Sequence, residues 1–264
     1  MLYCEEMKDR LTKWHAAYIQ NAYQELKRGA TRKQLDTLNI DATGKRVLDV
    51  GCGPGNLLAA LSADAPELLI GVDVDEIFLV CGRSQIQNST EKQSPVTSYQ
   101  LPVKKEPSSL ETGNWPLVTD KAVPTLLRAS LPTLPFADET FDLVTCLLVM
   151  PHVPDDSAAL TELARVLKPG GTLAISGHGF GFPLRYLKRF RLKPLQMYLA
   201  SLIYKWTGKK WIRNTLQNDR KICDFLDSIG VVPEMYHYNQ KILGCVVTYW
   251  IKAIKSDTNP KATQ

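Results

Sequence analysis

The stretch "RVLDVGCGPGN", residues 46–56, constrains this chain more than any other. Five residues of strand-like composition run into glycines at alternate positions, and "GNLLAALSA" then reads as a helix. A strand that passes into a helix through glycines can bring its backbone close to a ligand, because glycine adopts left-handed conformations and carries no side chain to block the approach. A dinucleotide fingerprint has its glycines at the first, third and sixth places. Counted from Gly51, the third place is Gly53, but the sixth is Asn56, and the last glycine falls at Gly55, with Asp49 two residues ahead of the first. The spacing departs from the dinucleotide pattern, and a plain strand-to-helix turn stays open on this stretch alone.

The residues that follow keep up an alternation. "LLIGVDV" predicts a second strand and "EIFLVCGRSQI" a second helix; "VPTLLRA" and "FDLVTCLLV" predict further strands, "DSAALTELARVL" an amphipathic helix, and "PGGTLAISG" a tight turn into a fifth strand. Alternating strands and helices are the signature of a parallel sheet with crossover helices. Ahead of this core (45–178), residues 5–28 predict an N-terminal cap helix, with Met7, Leu11, Trp14, Tyr18, Tyr23 and Leu26 near helical spacing and Gly29 as a stop. Residues 88–122 are polar, proline-containing and without period, and read as an inserted loop. Residues 180–213 read as a helical, basic and aromatic lid broken near Pro194, and residues 219–254 as a closing helix with two strands. The length of 264 residues and a hydrophobic content of 44% suit one α/β domain spanning 1–264.

Three further motifs follow the glycine turn in order. "GVDVDE" places Asp73 at the end of the second strand, where a carboxylate can accept hydrogen bonds from both hydroxyls of a ribose. "LPFADETFDLV" and "LARVLKPGGTLAI" come next. With these residues the chain resembles the class I S-adenosylmethionine-dependent methyltransferases, in particular the group that includes the ubiquinone/menaquinone C-methyltransferases, over roughly residues 45–178 less the insertion. The resemblance implies a Rossmann-like, doubly wound, seven-stranded and mostly parallel sheet whose last strand is antiparallel, and S-adenosylmethionine as cofactor. It implies that "LDVGCGPG" (Asp49, Gly51, Cys52, Gly53, Gly55) wraps the methionine and ribose part, that Asp73 binds the ribose with Val74 beside the adenine, and that Cys146 and Leu147 meet the methionine end. Relatives carry an aspartate four residues before the "LPF" leucine, where it meets the adenine amino group. Here that position is Ser130, which leaves a weaker hydroxyl partner or the backbone near Leu131 for that contact. "KPGG" (168–171) reads as a structural turn.

Methyl transfer from a sulfonium is an in-line displacement from an already activated leaving group, so alignment and exclusion of water carry most of the catalysis. A general base is needed only for an acceptor still protonated at pH 7. His178, after the fifth strand in "SGHGFG", and His152, in "MPHVPDD", are the candidates for touching substrate or serving as that base. His15 could face the cofactor with Trp14 or Tyr18 as a lid, and is not placed in the candidate set; His237 reads as structural. The pair Thr145–Cys146 suggests the cysteine nucleophile of cytosine-5 methyltransferases, but the proline–cysteine pair of that pattern is missing and a buried thiol is the simpler reading.

The net charge of +5 is unevenly spread. Between positions 163 and 218 there are eleven Lys or Arg and no Asp or Glu, which leaves 21 of the 32 basic residues against 27 acidic ones in the rest of the chain. Three readings compete for the 180–213 stretch: a lid whose apolar stripe packs on the sheet or covers the site, a peripheral contact with an anionic membrane surface, and, less in keeping with the motifs, nucleic acid. The six cysteines (4, 52, 81, 146, 223 and 245) form no CxxC pair and suggest neither a metal site nor a redox motif, and they read as reduced thiols of a cytoplasmic protein. The N-terminus has no signal-peptide core. The reading on sequence is therefore methyl transfer to a small, hydrophobic or aromatic acceptor. A non-catalytic cofactor-binding or scaffold protein, or a nucleic-acid methyltransferase, are the alternatives, and the oligomeric state is open.

Overall fold

Arg46–Val50, strand β1, has four buried residues in a row, so both of its faces are covered. That pattern belongs to a central strand of a parallel sheet between two helical layers. In this computed structural model, which describes residues 12–91, 123–186, 192–207 and 216–257, β1 occupies that place. It pairs in parallel with β2 (Leu68–Asp73) on one side and β4 (Phe141–Leu147) on the other. β3 (Thr125–Arg128) adds to β2, and β5 (Leu167–His178) to β4, also in parallel. The last strand, β7 (Thr248–Lys255), inserts antiparallel between β5 and β6 (Val231–Tyr238), giving the order β3-β2-β1-β4-β5-β7-β6. The chain winds outward from β1 in one direction and returns through β4 in the other, so the carboxyl ends of β1 and β4 bound the crevice where open sheets of this kind hold ligands.

The alternation of side chains builds two cores. Leu48, Val144, Leu173 and Ile175 face one side, with Leu160 and Leu163 of α5 (Asp156–Val166) and Leu226 of α7 (Asp219–Ser228). Val47, Leu143 and Ala174 face the other, with Leu57, Leu58 and Leu61 of α3 (Asn56–Leu61) and Leu35 of α2 (Ala30–Thr37). Asp155 opens α5 by accepting the Ala158 amide at 3.0 Å, and Asn218 caps α7 in the same manner.

Several boundaries differ from the sequence reading. The expected 5–28 helix does not run unbroken. α1 spans Lys13–Lys27, with Thr12 extended and acting as its cap, and residues 1–11 lie outside the described part. Gly29 ends α1 as read, but at φ 71° it also joins it directly to α2, which the sequence reading did not contain. α4 (Glu76–Glu91) continues into the stretch read as an inserted loop from 88, and the remaining positions 92–122 lie outside the described residues. Pro194 does not break a helix; it sits in the first turn of α6 (Lys193–Thr207), where a missing N–H costs nothing. A 3-10 turn, Phe182–Tyr186, precedes it. The "KPGG" turn is a bulge within the span of β5, with Gly170 at φ 70° and a register shift against β4.

Candidate active site

The crevice is floored by the loop after β1. Its path is set by left-handed glycines, Gly51 at φ 74° and Gly53 at φ 53°, and it is strapped to β2 by the Gly51 and Cys52 amides, which both donate to the Val72 carbonyl at 2.7 and 3.0 Å. At Gly51 glycine is required twice over: a methyl group there would stand 2.0 Å from Cγ2 of Val149, in the segment that leaves β4.

Asp73 closes the loop from the side. Its Oδ2 accepts the Gly53 amide and its Oδ1 the Asp75 amide, each at 2.8 Å. Burial raises its pKa above the usual carboxylate value, while these amides pull it back. The Val74 amide also acts on this carboxylate, and the acceptor capacity left over is what a ligand hydroxyl in the crevice would use. Asp49, beneath the loop, is 3% exposed and accepts the Thr145 hydroxyl at 2.7 Å. Burial pushes its carboxyl up to about 7, with the neighbouring Asp73 charge acting in the same direction. Cys52 and Cys146 are buried thiols whose pKa values burial raises, so neither is a thiolate at neutral pH. The position of Cys146 inside the core fits a buried thiol rather than an exposed nucleophile.

Helix α1 crosses the open side of the loop. The Tyr18 ring lies over Gly53, 3.6 Å from where a methyl group on that glycine would be, and packs at a tilt of 39° against Phe78 of α4 with centroids 4.9 Å apart. Burial, and then the nearby Asp73 charge, raise the Tyr18 pKa. One turn earlier, His15 Nε2 lies 3.0 Å from the Asp75 carboxylate, and its Nδ1 lies 2.7 Å from the Thr12 hydroxyl that caps the helix. The two bonds fix the ring and tie α1 to the start of α4.

On the far side, β5 ends at His178. Its ring stacks on Phe182, centroids 3.6 Å apart and planes 14° apart. Nδ1 is buried and has no hydrogen-bond partner among the described residues. Burial, then the neighbouring His152 and Arg185, hold its pKa down at about 4. The imidazole is therefore neutral at pH 7. Beside it, Leu148 adopts φ 60° and its amide donates to the Ser176 hydroxyl at 2.9 Å.

The structure brings Asp49, Gly51, Cys52, Gly53, Gly55 and Asp73 into one crevice, with Val74 at its rim, 60% exposed. Ser130 is exposed on the loop after β3, next to Ala129, whose amide donates to the Asp73 carbonyl at 3.2 Å. Leu131 turns into the core, as does Cys146, while Leu147 is half-buried at the end of β4. His152 stands exposed on a 3-10 turn after β4. The candidate set did not contain Tyr18, Asp75, Thr145, Ser176 or Phe182. Of these, Tyr18 was read in the sequence as a possible lid over the cofactor, and Thr145 only as the neighbour of Cys146.

The family described as "Methyltransferase domain" matches residues 48–175. This region is a class I S-adenosylmethionine-dependent methyltransferase domain. S-adenosylmethionine is the cofactor of such a domain. Over 146 residues the chain is 30% identical to methyltransferase GfsG of Streptomyces halstedii, covering 55% of this chain and 42% of that protein. It is 31% identical over 137 residues to a ubiquinone biosynthesis O-methyltransferase of Pseudomonas fluorescens, covering 52% and 46%. The match thus spans less than half the length of either curated relative. The crystal structure of an S-adenosylmethionine-dependent methyltransferase from Mesorhizobium loti superposes with a TM-score of 0.58 over 87% of this chain and 99% of that one, at 17% identity. This likeness shows a shared fold over a larger part of the chain than the family match covers.

Proposed function

We propose that the chain transfers a methyl group from S-adenosylmethionine to a small, hydrophobic or aromatic acceptor. The observation that carries this reading is the tie between Asp73 and Gly53, which sets a carboxylate with free acceptor sites beside a backbone bend of left-handed glycines. Glycines carry no side chain that would keep a ligand from the main chain of the bend, and the Asp73 carboxylate would bind the ligand's diol. Asp49 lies buried under the same bend, where a bound ammonium group would favour its carboxylate form. Tyr18 covers the bend and keeps water from it. When bound, the cofactor supplies a methyl group on a positively charged sulfur.

On the acceptor side, the stacked His178–Phe182 pair offers an aromatic wall and a nitrogen without a partner among the described residues. A group with a pKa near 4 is a weak base, so His178 serves here as a neutral hydrogen-bonding group that orients the acceptor. His152 stands on the neighbouring turn. The ubiquinone-related name of one relative favours a ring-containing acceptor.

Isothermal titration with S-adenosylmethionine and with S-adenosylhomocysteine tests the cofactor half, and transfer of labelled methyl to hydroxylated aromatic compounds tests the rest. Both ligands should bind and label should appear in product. No binding of either overturns the reading; binding without transfer to any acceptor favours a cofactor-binding protein without catalysis.

A further inference from the structure

Helix α6 is apolar on two opposite sides. Met197, Ala200 and Ser201 are buried against the rest of the protein. On the outer side Leu195, Leu199, Leu202 and Trp206 are 56%, 50%, 53% and 83% exposed, and Leu192, just before the helix, is 71% exposed. The spacing of 3, 4, 3 and 4 residues puts these five side chains in one stripe along the helix. A soluble helix turns its polar face outward, so a continuous apolar stripe facing solvent marks a contact surface.

The helix is held in this attitude. The Tyr198 hydroxyl donates to the Phe180 carbonyl at 2.6 Å, and the Leu216 amide donates to the Ser201 hydroxyl at 3.1 Å. Phe180 is 46% exposed and lies two residues beyond His178. The Gly181 amide donates to the Val246 carbonyl at 2.7 Å, which brings up a short hairpin whose tip, Leu243, is 84% exposed. Apolar side chains therefore project from the same end of the sheet as the acceptor side of the crevice. In the sequence, the 180–213 stretch that contains α6 carries nine Lys or Arg and no Asp or Glu.

We propose that α6 lies in the interfacial zone of an anionic lipid bilayer. Its leucines and Trp206 enter the boundary of the acyl chains, and the flanking Lys and Arg residues meet lipid phosphates. A bilayer accommodates both features at once. A second copy of the chain does not: a two-fold interface on this stripe would set the same basic stretch against itself. Nucleic acid would use the charges and the tryptophan but offers three leucines nothing to bury against. The inference stands on α6 and its flanks and does not need the crevice to hold a cofactor.

The full chain should sediment with vesicles of phosphatidylcholine mixed with phosphatidylglycerol, not with phosphatidylcholine alone, and should release as salt is raised. The triple variant Leu195→Ser, Leu199→Ser, Trp206→Ser should bind these vesicles at least about tenfold more weakly, with an unchanged melting temperature. If that variant unfolds, Leu199→Ser alone, measured in the same way, must still weaken binding. No sedimentation, or equal sedimentation of folded variants, overturns the proposal. So does a dimer in light scattering that the triple variant abolishes, or tighter binding to single-stranded nucleic acid than to vesicles. Cofactor titration of the same samples keeps the two readings apart: loss of cofactor binding with vesicle binding intact sinks the proposed function only, and the reverse sinks the membrane inference only.

Discussion

Asp73 accepts the Gly53 amide at 2.8 Å, so the end of β2 holds the far side of the loop that follows β1. One carboxylate thereby shapes the bend and stands ready for a ligand lying in it. Asp73→Ala removes both roles. A hydrogen bond to a charged group is worth roughly 1.5–3 kcal/mol, so calorimetric titration should show S-adenosylmethionine binding weakened by at least about tenfold. An affinity equal to the wild type would mean that the ribose does not lie there.

Gly51→Ala should fail for two separable reasons. The new methyl group overlaps Val149, and overpacking of this kind costs about 1–3 kcal/mol; the left-handed backbone adds about 1–2 kcal/mol. Val149→Ala in the same chain relieves the first cost and leaves the second. Thermal melts should therefore rank the wild type above the double variant, and the double variant above Gly51→Ala. A double variant no more stable than the single one would show that the overlap is not what matters.

Cofactor binding should be linked to a proton. In the free protein burial lifts Asp49 to about 7, so at about pH 6 it is mostly protonated. An ammonium group placed beside it favours the carboxylate, and binding at that pH should release up to about one proton. Affinity then climbs as pH rises towards about 7 and levels off above it. Titration at one pH in buffers of different ionisation enthalpy reads the proton directly, and Asp49→Asn should abolish the release.

His178 gives stability an acid limb. Its folded pKa of about 4 lies below the ordinary 6.5, so between these values the unfolded chain binds more protons. Stability is full above about pH 6.5 and declines as pH falls towards about 4, by at most about 3 kcal/mol. Urea midpoints across that range should flatten in His178→Gln. In activity, the same variant should raise KM for the acceptor while leaving S-adenosylmethionine affinity unchanged.

The sheet was legible in the sequence because its signals are local. β1, the glycine turn and Asp73 lie within about thirty residues of each other, each with its own turn chemistry or periodicity. α2 gave no such signal: only Leu35 of its eight residues is buried, so there was no stripe to read. Pro194 was read as a break because proline ends a helix from inside, whereas at a start it fits; only the position of the first turn separates the two cases. The pairing of His15 with Asp75 joins residues sixty positions apart, and nothing in either neighbourhood announces the other. The outward direction of the α6 stripe was likewise hidden, because the spacing of its leucines gives a face but not what that face looks at. Ser130 stands where relatives carry an acid, and the structure places it on an exposed loop beside the Asp73 strand end without giving the adenine a stronger partner.

Val149 fills the place that a side chain at position 51 would take. The segment leading from β4 to His152 and the bend under the cofactor therefore touch, with no slack between them. If the acceptor of the proposed function bears on the first, this contact would pass the push to the second, and the two ligands should then slow or speed each other's departure.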